Sequence, residues 1–363
     1  MLFTPEKIGR LTLPNRLVRS ATAERLADAD GRPRPRLKQL YAELARGGVG
    51  LIITGHMAVH PSGRAHIEQV GIHSDEQIPG LAGLADAVHR EGGRVAVQIS
   101  HGGMQCSPQA VPEPMAPSAV EATFLQRPAR EMRSEEISHL IEAYAQAARR
   151  AREAGFDGAQ LHGAHGYLIG QFLSPFVNHR TDEWGGDLEG RMRFLRAVCQ
   201  AVREQVGPDY PVFIKLGMMD GVEGGLTLEE GLQVAAALEA MGLDAVEISG
   251  GIGGEGDLNT RKGIRSEEDE AYFRPLAQQA RAVTRLPIAL VGGFRTQQVM
   301  EAVLAAGDAD FISLCRPLIS EPDLPNRLRL GFQERSACLS ANRCWPERTG
   351  EGIACRCLVD KGR

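Results

Sequence analysis

The segment LHGAHGYLIGQFLSPFVNHRTDEWGG, residues 161–186, brings three chemically useful side chains close together. His162 and His165 are three residues apart, and Tyr167 follows two residues later. Two imidazole N–H groups make a good clamp for a carbonyl oxygen that gains negative charge during a reaction. A nearby tyrosine hydroxyl can supply a proton. The trio therefore indicates acid-assisted chemistry on a carbonyl compound.

Two other interpretations of the trio stay open. His162 can pack inside the fold while His165 caps a turn. The H-x-x-H spacing can also chelate a metal, although no third ligand lies nearby, and we predict no metal site. For both imidazoles to reach one site the chain must bend, and Gly163 and Gly166 permit such a bend.

The bulk composition is that of a soluble globular enzyme. The 363 residues are 43% hydrophobic and 24% charged, and the net charge of −5 gives no reason to expect nucleic acid or an acidic membrane. We see neither a signal peptide nor an 18-residue apolar run. Seven cysteines, an odd number, suggest free thiols in a reducing cytoplasm. We expect a cytoplasmic protein with a small-molecule substrate, and self-association into a homo-oligomer stays open.

Short apolar runs alternate with longer helical patterns along the whole chain. Their near-continuous apolar character is typical of parallel strands covered on both faces. The eight runs are LVRSAT (17–22), GLIITG (50–55), RVAVQIS (94–100), DGAQLH (157–162), PVFIKL (211–216), DAVEIS (244–249), PIALVG (287–292) and DFISLC (310–315). Eight strands alternating with helices predict an α/β fold, a single TIM (β/α)8 barrel. A doubly wound open sheet is the alternative.

Helix boundaries support this division of the chain. Ser134 is expected to cap a helix that ends at Gly155. Thr227 and Glu230 form a T-x-x-E capping box, and Thr296 starts a further helix that ends near 307.

The chain divides into a barrel, residues 1–331, and a cysteine-bearing tail, residues 332–363. Residues 1–14 are expected to form a lid or hairpin over the barrel bottom. The Pro-rich connection 102–133 is the longest, and we expect it to be functional, because barrel active sites are built from the loops after the strands. His162 ends the fourth strand run, so the trio lies on that face.

The trio's segment resembles the signature of the old yellow enzyme family of FMN-dependent oxidoreductases. The resemblance continues through LPNRLVRSAT (13–22), GGVGLIITG (47–55), VQISHGG (97–103), MAPSA (115–119), AGFDGAQLHGAHGYL (154–168), VGGFRT (291–296) and SLCRPLISEPDLP (313–325). It implies FMN across the barrel mouth and a ping-pong reaction. NAD(P)H reduces the flavin, which passes hydride to a second substrate, often an α,β-unsaturated carbonyl compound. His162 and His165 match the carbonyl-binding pair, and Tyr167 matches the proton donor.

Several strand ends offer contacts for the flavin ring. Gln98 can donate to and accept from a pyrimidine-like edge, although it can also simply close a strand. Lys215 can stabilise the anionic reduced form, although a lysine can also reach solvent. Backbone groups at the end of the first strand can meet the isoalloxazine edge, at Ser20, Ala21, Thr22 and Ala23.

The end of the barrel sequence suggests a phosphate site. Gly292, Gly293 and the helix start after Arg295 look like a phosphate cradle. Arg316 follows the eighth strand and can clamp the same phosphate, with Cys315 beside it. A plain turn at the two glycines is the alternative.

Some positions depart from the family pattern or have uncertain roles. Ala23 stands where many relatives carry a Cys or Thr that tunes the flavin, and Arg25 replaces a tyrosine of one bacterial branch. His101 either lines the pocket or makes structural hydrogen bonds. The tract 178–186 is expected to be structural, with Arg180 and Asp182 fixing the loop that holds Tyr167.

Two further motifs carry weaker signals. GIGGEG (251–256) is a weak dinucleotide motif, which we interpret as a flexible loop over the catalytic mouth. The tail thiols could bind zinc or an iron–sulfur cluster, as longer relatives do, but free thiols are favoured; they are Cys338, Cys344, Cys355 and Cys357.

The leading hypothesis is an FMN-dependent oxidoreductase that takes hydride from NAD(P)H and delivers it to an activated alkene. Two alternatives are a flavin-free phosphate-binding barrel with lyase or isomerase activity, and a flavin-binding electron-transfer module without catalytic activity.

Overall fold

The structure is a computed structural model that describes residues 1–121, 125, 127–253, 258–348 and 350–358. Its strands are β1 (Glu6–Ile8), β2 (Leu11–Leu13), β3 (Leu17–Arg19), β4 (Leu51–Ile53), β5 (Met57–Ala58), β6 (Val95–Ser100), β7 (Met115–Ala116), β8 (Arg130–Glu131), β9 (Gly158–Gly163), β10 (Val212–Gly217), β11 (Val246–Ser249), β12 (Ile288–Leu290) and β13 (Phe311–Leu314). Its α-helices are α1 (Pro35–Arg46), α2 (Ile78–His89), α3 (Ser134–Glu153), α4 (Leu168–Leu173), α5 (Leu188–Val206), α6 (Leu228–Ala237), α7 (Arg274–Val283), α8 (Gln297–Ala305), α9 (Arg316–Ser320) and α10 (Leu324–Arg329).

Eight parallel strands close into a barrel. Their order is β3, β4, β6, β9, β10, β11, β12 and β13, and β13 pairs with β3 to complete the ring. Each of these strands overlaps one of the eight apolar runs, so the predicted TIM barrel is confirmed. The closed ring excludes the doubly wound open sheet.

Side chains inside the barrel change character along the strands. Successive residues of a strand point to opposite faces, so every second residue faces the barrel interior. Towards the N-terminal ends of the strands the interior is apolar, with Val18, Ala96, Phe213, Ala245 and Phe311 in one buried cluster. Two residues further along the same strands the side chains are buried and polar: Ser20, Gln98, Lys215, Glu247 and Ser313. The barrel thus has an apolar floor beneath a polar upper level.

The N-terminal segment closes the floor. Strands β1 and β2 pair antiparallel, with Glu6 opposite Leu13. Ile8 and Leu13 are buried in the same cluster as the apolar floor residues. The turn uses Gly9 at φ +55°, where a side chain would also meet the carboxylate of Asp244 at 2.9 Å. The predicted hairpin over the barrel bottom is confirmed.

Two of the three predicted helix starts match the structure. Thr227 and Glu230 form the capping box: Oγ1 of Thr227 accepts from the Glu230 N–H, and Oε2 of Glu230 accepts from the Thr227 N–H. Helix α8 follows Thr296 as predicted. The prediction for Ser134 is wrong by one residue, because Ser134 is already helical and Arg133 precedes the helix. The carboxylate of Glu136 accepts the Arg133 N–H at 2.9 Å, so the helix starts one residue earlier.

Arg180 helps to fasten the connection 102–133 to the body of the fold. Nη1 of Arg180 donates to the carbonyl oxygens of Pro117 and Met132 at 2.8 and 2.7 Å, and Asp182 pairs with the same guanidinium. The sequence predicted that Arg180 and Asp182 fix the loop that holds Tyr167, and this prediction is wrong. The side chain of Asn178 approaches that region instead, since its Nδ2 donates to the Phe172 carbonyl in α4.

Among the residues that the structure describes, no helix combines the length and the apolar character needed to cross a membrane.

Candidate active site

The polar upper level of the barrel is joined by hydrogen bonds and one ion pair, and two of these contacts are between register partners on neighbouring strands. Gln98 and Gln160 are register partners, and Nε2 of Gln98 donates to Oε1 of Gln160 at 2.7 Å. Nε2 of Gln160 donates to Oε2 of Glu247 at 2.9 Å. Ser20 Oγ donates to Oε1 of Glu247 at 2.7 Å. Lys215, the register partner of Glu247, places its Nζ 3.2 Å from that same oxygen.

Lys215 is a buried cation with a built-in counter-ion. Its side chain is 5% exposed, and Nζ also donates to Ser20 Oγ at 2.8 Å, so it does not reach solvent. Burial alone would raise the pKa of Glu247, but the charge of Lys215 and hydrogen bonds from Ser20 and Gln160 hold that pKa below its ordinary value. Glu247 is therefore ionised at neutral pH, and the pair is neutral overall.

The two histidines of the trio lie side by side where β9 ends. Their ring centroids are 5.5 Å apart and their planes are nearly perpendicular, at 89°. Nε2 of His165 lies 2.7 Å from Ser249 Oγ, which leaves its Nδ1 for another partner. Nδ1 of His162 is buried, and no hydrogen-bond partner for it exists among the described residues. Leaving a buried polar atom without a hydrogen bond costs free energy, so we expect a bound ligand to pair with this nitrogen.

The predicted bend is confirmed at Gly166 and is wrong at Gly163. Gly163 is still the last residue of β9. The reversal occurs at His165 and Gly166, whose φ values are +58° and +70°. A non-glycine residue at positive φ is uncommon and is often found at functional sites.

Burial keeps the trio uncharged. It lowers the pKa of His165 to about 3, helped by the charge of Lys215. Burial, with neighbouring imidazoles and Lys215, also lowers the pKa of His162 well below its ordinary value. Burial raises the pKa of Tyr167, whose ring centroid lies 4.5 Å from that of His162. At neutral pH the site therefore presents two neutral imidazoles and a protonated phenol.

An open pocket lies beside His165 on the upper side of the barrel, and its empty space, including the part open to solvent, is about 610 Å³. Seven predicted site residues line it: Ser20, Ala21, His165, Lys215, Gly293, Cys315 and Arg316. Ser313 also lines it, and its buried Oγ has no hydrogen-bond partner among the described residues.

The other predicted residues, His162 and Tyr167 among them, do not line this cavity. Thr22 Oγ1 is 3.2 Å from Cys315 Sγ, and Ala23 borders a small adjoining recess. Gln98 lies in the polar level below. Gly292, at φ +154°, accepts a hydrogen bond from the Tyr272 N–H through its carbonyl.

One part of the predicted phosphate cradle is already occupied by the protein. The N–H groups of Arg295 and Thr296 both donate to Oε2 of Glu270, at 2.7 and 2.9 Å. The start of α8 therefore holds an internal carboxylate, and the prediction of a phosphate there is wrong. Arg316 keeps its charge available: Nη1 donates to the Arg261 carbonyl and to Oδ1 of Asn342, and Arg316 has no acidic partner within the described residues.

His101 has a structural role. It is fully buried, its Nδ1 accepts from the Gly103 N–H at 3.1 Å, and its Nε2 lies 3.1 Å from Ser62 Oγ. Half of the predicted flexible loop at 251–256 falls on residues outside the described ranges. Its described beginning is tied down, since the Gly251 N–H donates to the Met219 carbonyl at 2.8 Å.

The tail cysteines are free thiols. Sγ of Cys355 lies 3.8 Å from Sγ of Cys357, and burial with neighbouring thiols raises the pKa of Cys344 to about 12. Across the described part of the chain, no group of three or more candidate ligands is arranged to hold a metal. The tail instead packs on the barrel, where the Ser340 carbonyl accepts from the Gly263 N–H and the Glu24 carbonyl from the Ile353 N–H.

Sequence reasoning missed several site residues. They are Gln160, Glu247, Ser249 and Ser313, together with His56, whose ring lies 4.9 Å from Tyr167. Polar residues two apart within apolar runs were the available signal, as in QLH, VEIS and VQIS.

Comparison with known proteins agrees with this architecture. The model of the NADH:flavin oxidoreductase / NADH oxidase family matches residues 1–335. An NADH oxidase of Thermoanaerobacter brockii is 39% identical over 364 residues, covering 99% of this chain and 56% of the relative. An NADPH dehydrogenase of a Geobacillus species is 36% identical over 326 residues, covering 90% and 92%.

A solved structure shows the same fold. The old yellow enzyme homologue from Zymomonas mobilis superposes with a TM-score of 0.81 at 30% identity, covering 92% of this chain and 94% of that one. The chain spans about half the length of the first relatives it matches. By its sequence match and its barrel, this chain belongs to the NADH:flavin oxidoreductase / NADH oxidase family.

Proposed function

We propose that this protein binds FMN in the cavity beside His165 and reduces activated alkenes, such as α,β-unsaturated carbonyl compounds, with hydride from NAD(P)H. The observation that carries the proposal is the pairing of two neutral imidazoles with a protonated tyrosine, in a cluster whose His165 lines that cavity. Imidazole pairs of this kind suit a carbonyl oxygen, and the family name supports a flavin and a nicotinamide.

The residues around the cavity fit FMN. Ser313 Oγ is a buried polar atom without a partner among the described residues, and it faces the cavity. Lys215 and Ser20 offer a cation and a hydroxyl at the polar level, where a flavin ring edge would bind, with backbone at Ala21, Thr22 and Ala23. Bound FMN would supply the hydride carrier.

The other flavin contacts remain proposals. Gln98 is assigned to the pyrimidine edge, although its amide is engaged with Gln160. The phosphate is assigned to Gly292, Gly293, Cys315 and Arg316. Arg316 supports this assignment, because its hydrogen bonds orient the guanidinium without neutralising it.

The imidazoles would hold the substrate oxygen. A neutral imidazole donates through only one of its two nitrogens. Ser249 can donate to Nε2 of His165, which leaves an N–H at Nδ1 for the substrate. Nδ1 of His162 lacks a partner within the described structure and can provide the second donor. Two donors at one oxygen stabilise the negative charge that develops there as the alkene accepts hydride.

Tyr167 would protonate the α-carbon. Its raised pKa keeps the phenol protonated at neutral pH, so the proton is present whenever substrate binds. Its contact with His162 places it beside the carbonyl clamp. This role separates the proposal from a non-catalytic electron-transfer module, which would have no use for a proton donor.

The test combines a spectrum with a ligand titration. The purified protein should show oxidised flavin absorbance that NADPH or NADH bleaches without oxygen. In a variant with both His162→Ala and His165→Ala, phenolic ligands should no longer bind while FMN stays bound. A protein that stays colourless after addition of FMN would favour the flavin-free barrel. Undiminished phenol binding by the double variant would contradict the carbonyl-clamp assignment.

A further inference from the structure

A third imidazole lies against the proposed catalytic rings. His56 is only 7% exposed, and its ring centroid lies 4.9 Å from that of Tyr167 and 5.9 Å from that of His162. On its other side the His66 ring is 5.9 Å away, and Trp345 of the tail lies 6.3 Å from His66. A row of rings therefore leads from the carbonyl clamp to the tail.

The hydrogen bonds around His56 decide which ring nitrogen carries its proton. Oε1 of Gln69 accepts the Ala65 N–H at 2.6 Å, so the amide orientation of Gln69 is set. Nε2 of Gln69 must then donate, and it lies 3.0 Å from Nδ1 of His56 and 3.0 Å from the His56 carbonyl oxygen. Ser100 Oγ also lies 3.0 Å from Nδ1, and its hydroxyl can donate to the same nitrogen. Since Nδ1 accepts, the neutral imidazole carries its hydrogen on Nε2. Within the described residues no protein group accepts that N–H.

This wall of the site donates hydrogen bonds without carrying net charge. Burial and neighbouring imidazoles lower the pKa of His56 to about 3, so it stays neutral. Two cations lower the pKa values of neighbouring imidazoles: Lys215 acts on His165, and Arg25 acts on His66. Both cations form ion pairs, Lys215 with Glu247 and Arg25 with Glu68. A neutral acceptor such as a second carbonyl suits this wall better than a carboxylate, which would need a cation of its own.

We infer that His56 is a specificity-determining residue, which favours alkenes flanked by two neutral acceptor groups over alkenes with one. The inference rests on the proposed alkene reduction. One carbonyl oxygen binds between His162 and His165, and a second one accepts the Nε2–H of His56. Because the His56 ring packs against both His162 and Tyr167, a molecule held by those two residues would lie next to it.

The kinetic test compares N-methylmaleimide, with two carbonyls, and 2-cyclohexenone, with one. In His56→Phe the ring remains and the donor is lost. The ratio of kcat/KM for the maleimide to that for the enone should fall roughly 3- to 10-fold, as expected for one uncharged hydrogen bond. His56→Gln, which keeps a donor, should recover part of the ratio. His66→Phe is the matched control, since its ring contacts His56 and Trp345 rather than the clamp.

A binding measurement gives a readout without turnover. Dissociation constants for 4-hydroxybenzaldehyde and 4-methylphenol follow from flavin absorbance changes, and only the aldehyde has a second acceptor. Their ratio should shift by a similar factor in His56→Phe. An unchanged ratio in both experiments, or an equal shift in His66→Phe, would overturn the inference. If wild-type protein reduces neither alkene, alkene reduction fails as the function, while the phenol ratio still decides the role of His56.

Discussion

Removing the charge of Lys215 should expose the cost of a buried carboxylate. The Nζ atom lies 3.2 Å from Oε1 of Glu247, and the two side chains are 5% and 1% exposed. With an effective dielectric constant of about 20, Coulomb's law gives an attraction of roughly 5 kcal/mol at this distance. Breaking a buried pair by deleting one partner typically costs about 3–5 kcal/mol. We therefore expect Lys215→Met to lower the free energy of unfolding by about 3–5 kcal/mol at pH 7.

The pH dependence of this loss follows from the sign of the pKa shift. In the wild type the pKa of Glu247 is lowered, so its stabilisation is present above about pH 4.5 and is lost as pH falls through the lowered folded value. Without Lys215, burial should raise the pKa of Glu247 instead. The variant should then lose stability as pH rises above about 4.5, so its deficit should be larger at pH 8 than at pH 5.

Urea unfolding of the FMN-free protein, followed by circular dichroism, measures this effect. The matched control is Lys215→Met with Glu247→Gln, in which the new amide oxygen can accept from Gln160 and its N–H group can donate to Ser20 Oγ. This double variant should lie within about 1 kcal/mol of the wild type, because no buried charge is left unpaired. The reasoning is refuted if the single variant loses less than about 1 kcal/mol, or if the double variant is no more stable than the single one.

Three further predictions address the proton donor, a buried histidine and a helix cap. Tyr167→Phe should slow alkene reduction by about 10²- to 10⁴-fold, the usual contribution of a general acid, while stopped-flow bleaching by NADPH keeps its rate; a loss under about 3-fold would remove Tyr167 from this role. Burial lowers the pKa of His101 to about 3 in the folded protein. As pH falls, His101 therefore takes up a proton in the unfolded chain before it does so in the folded protein, and the free energy of unfolding should decrease from about pH 6.5 towards pH 4. His101→Asn should reduce that slope by at most about 1.4 kcal/mol per pH unit, as measured by urea unfolding, and an unchanged slope would contradict a buried neutral imidazole. Thr227→Ala removes the acceptor for the Glu230 N–H and should cost about 1 kcal/mol; thermal unfolding of Thr227→Ser, which keeps the hydroxyl, serves as its control.

The sequence predicted the parts of this molecule that depend on local pattern. The barrel strands appear as continuous apolar runs, and the Thr227 capping box is a four-residue motif. The trio after β9 was recognisable because all three side chains lie within one short segment.

Features that depend on pairing between distant residues could not be predicted. Lys215 meets Glu247 because β10 and β11 pair in a register that places them opposite each other, and this register follows from barrel closure. The carboxylate of Glu270 accepts hydrogen bonds from two N–H groups at the start of α8, which are 25 and 26 residues away in sequence. The local motif alone therefore predicted an anion site that Glu270 already fills. The tautomer of His56 likewise depends on Gln69, whose amide is oriented by Ala65.

The hairpin β1–β2 under the barrel has a consequence for the order of events in turnover. With Ile8 and Leu13 filling the floor, molecules reach the cavity from the opposite end. Under the proposed function the nicotinamide and the alkene then share one entrance, and neither can leave through the floor of the barrel. They must take turns, so each is expected to act as a competitor of the other. A large excess of alkene should slow turnover, because alkene bound at the oxidised flavin would block its reduction by NAD(P)H.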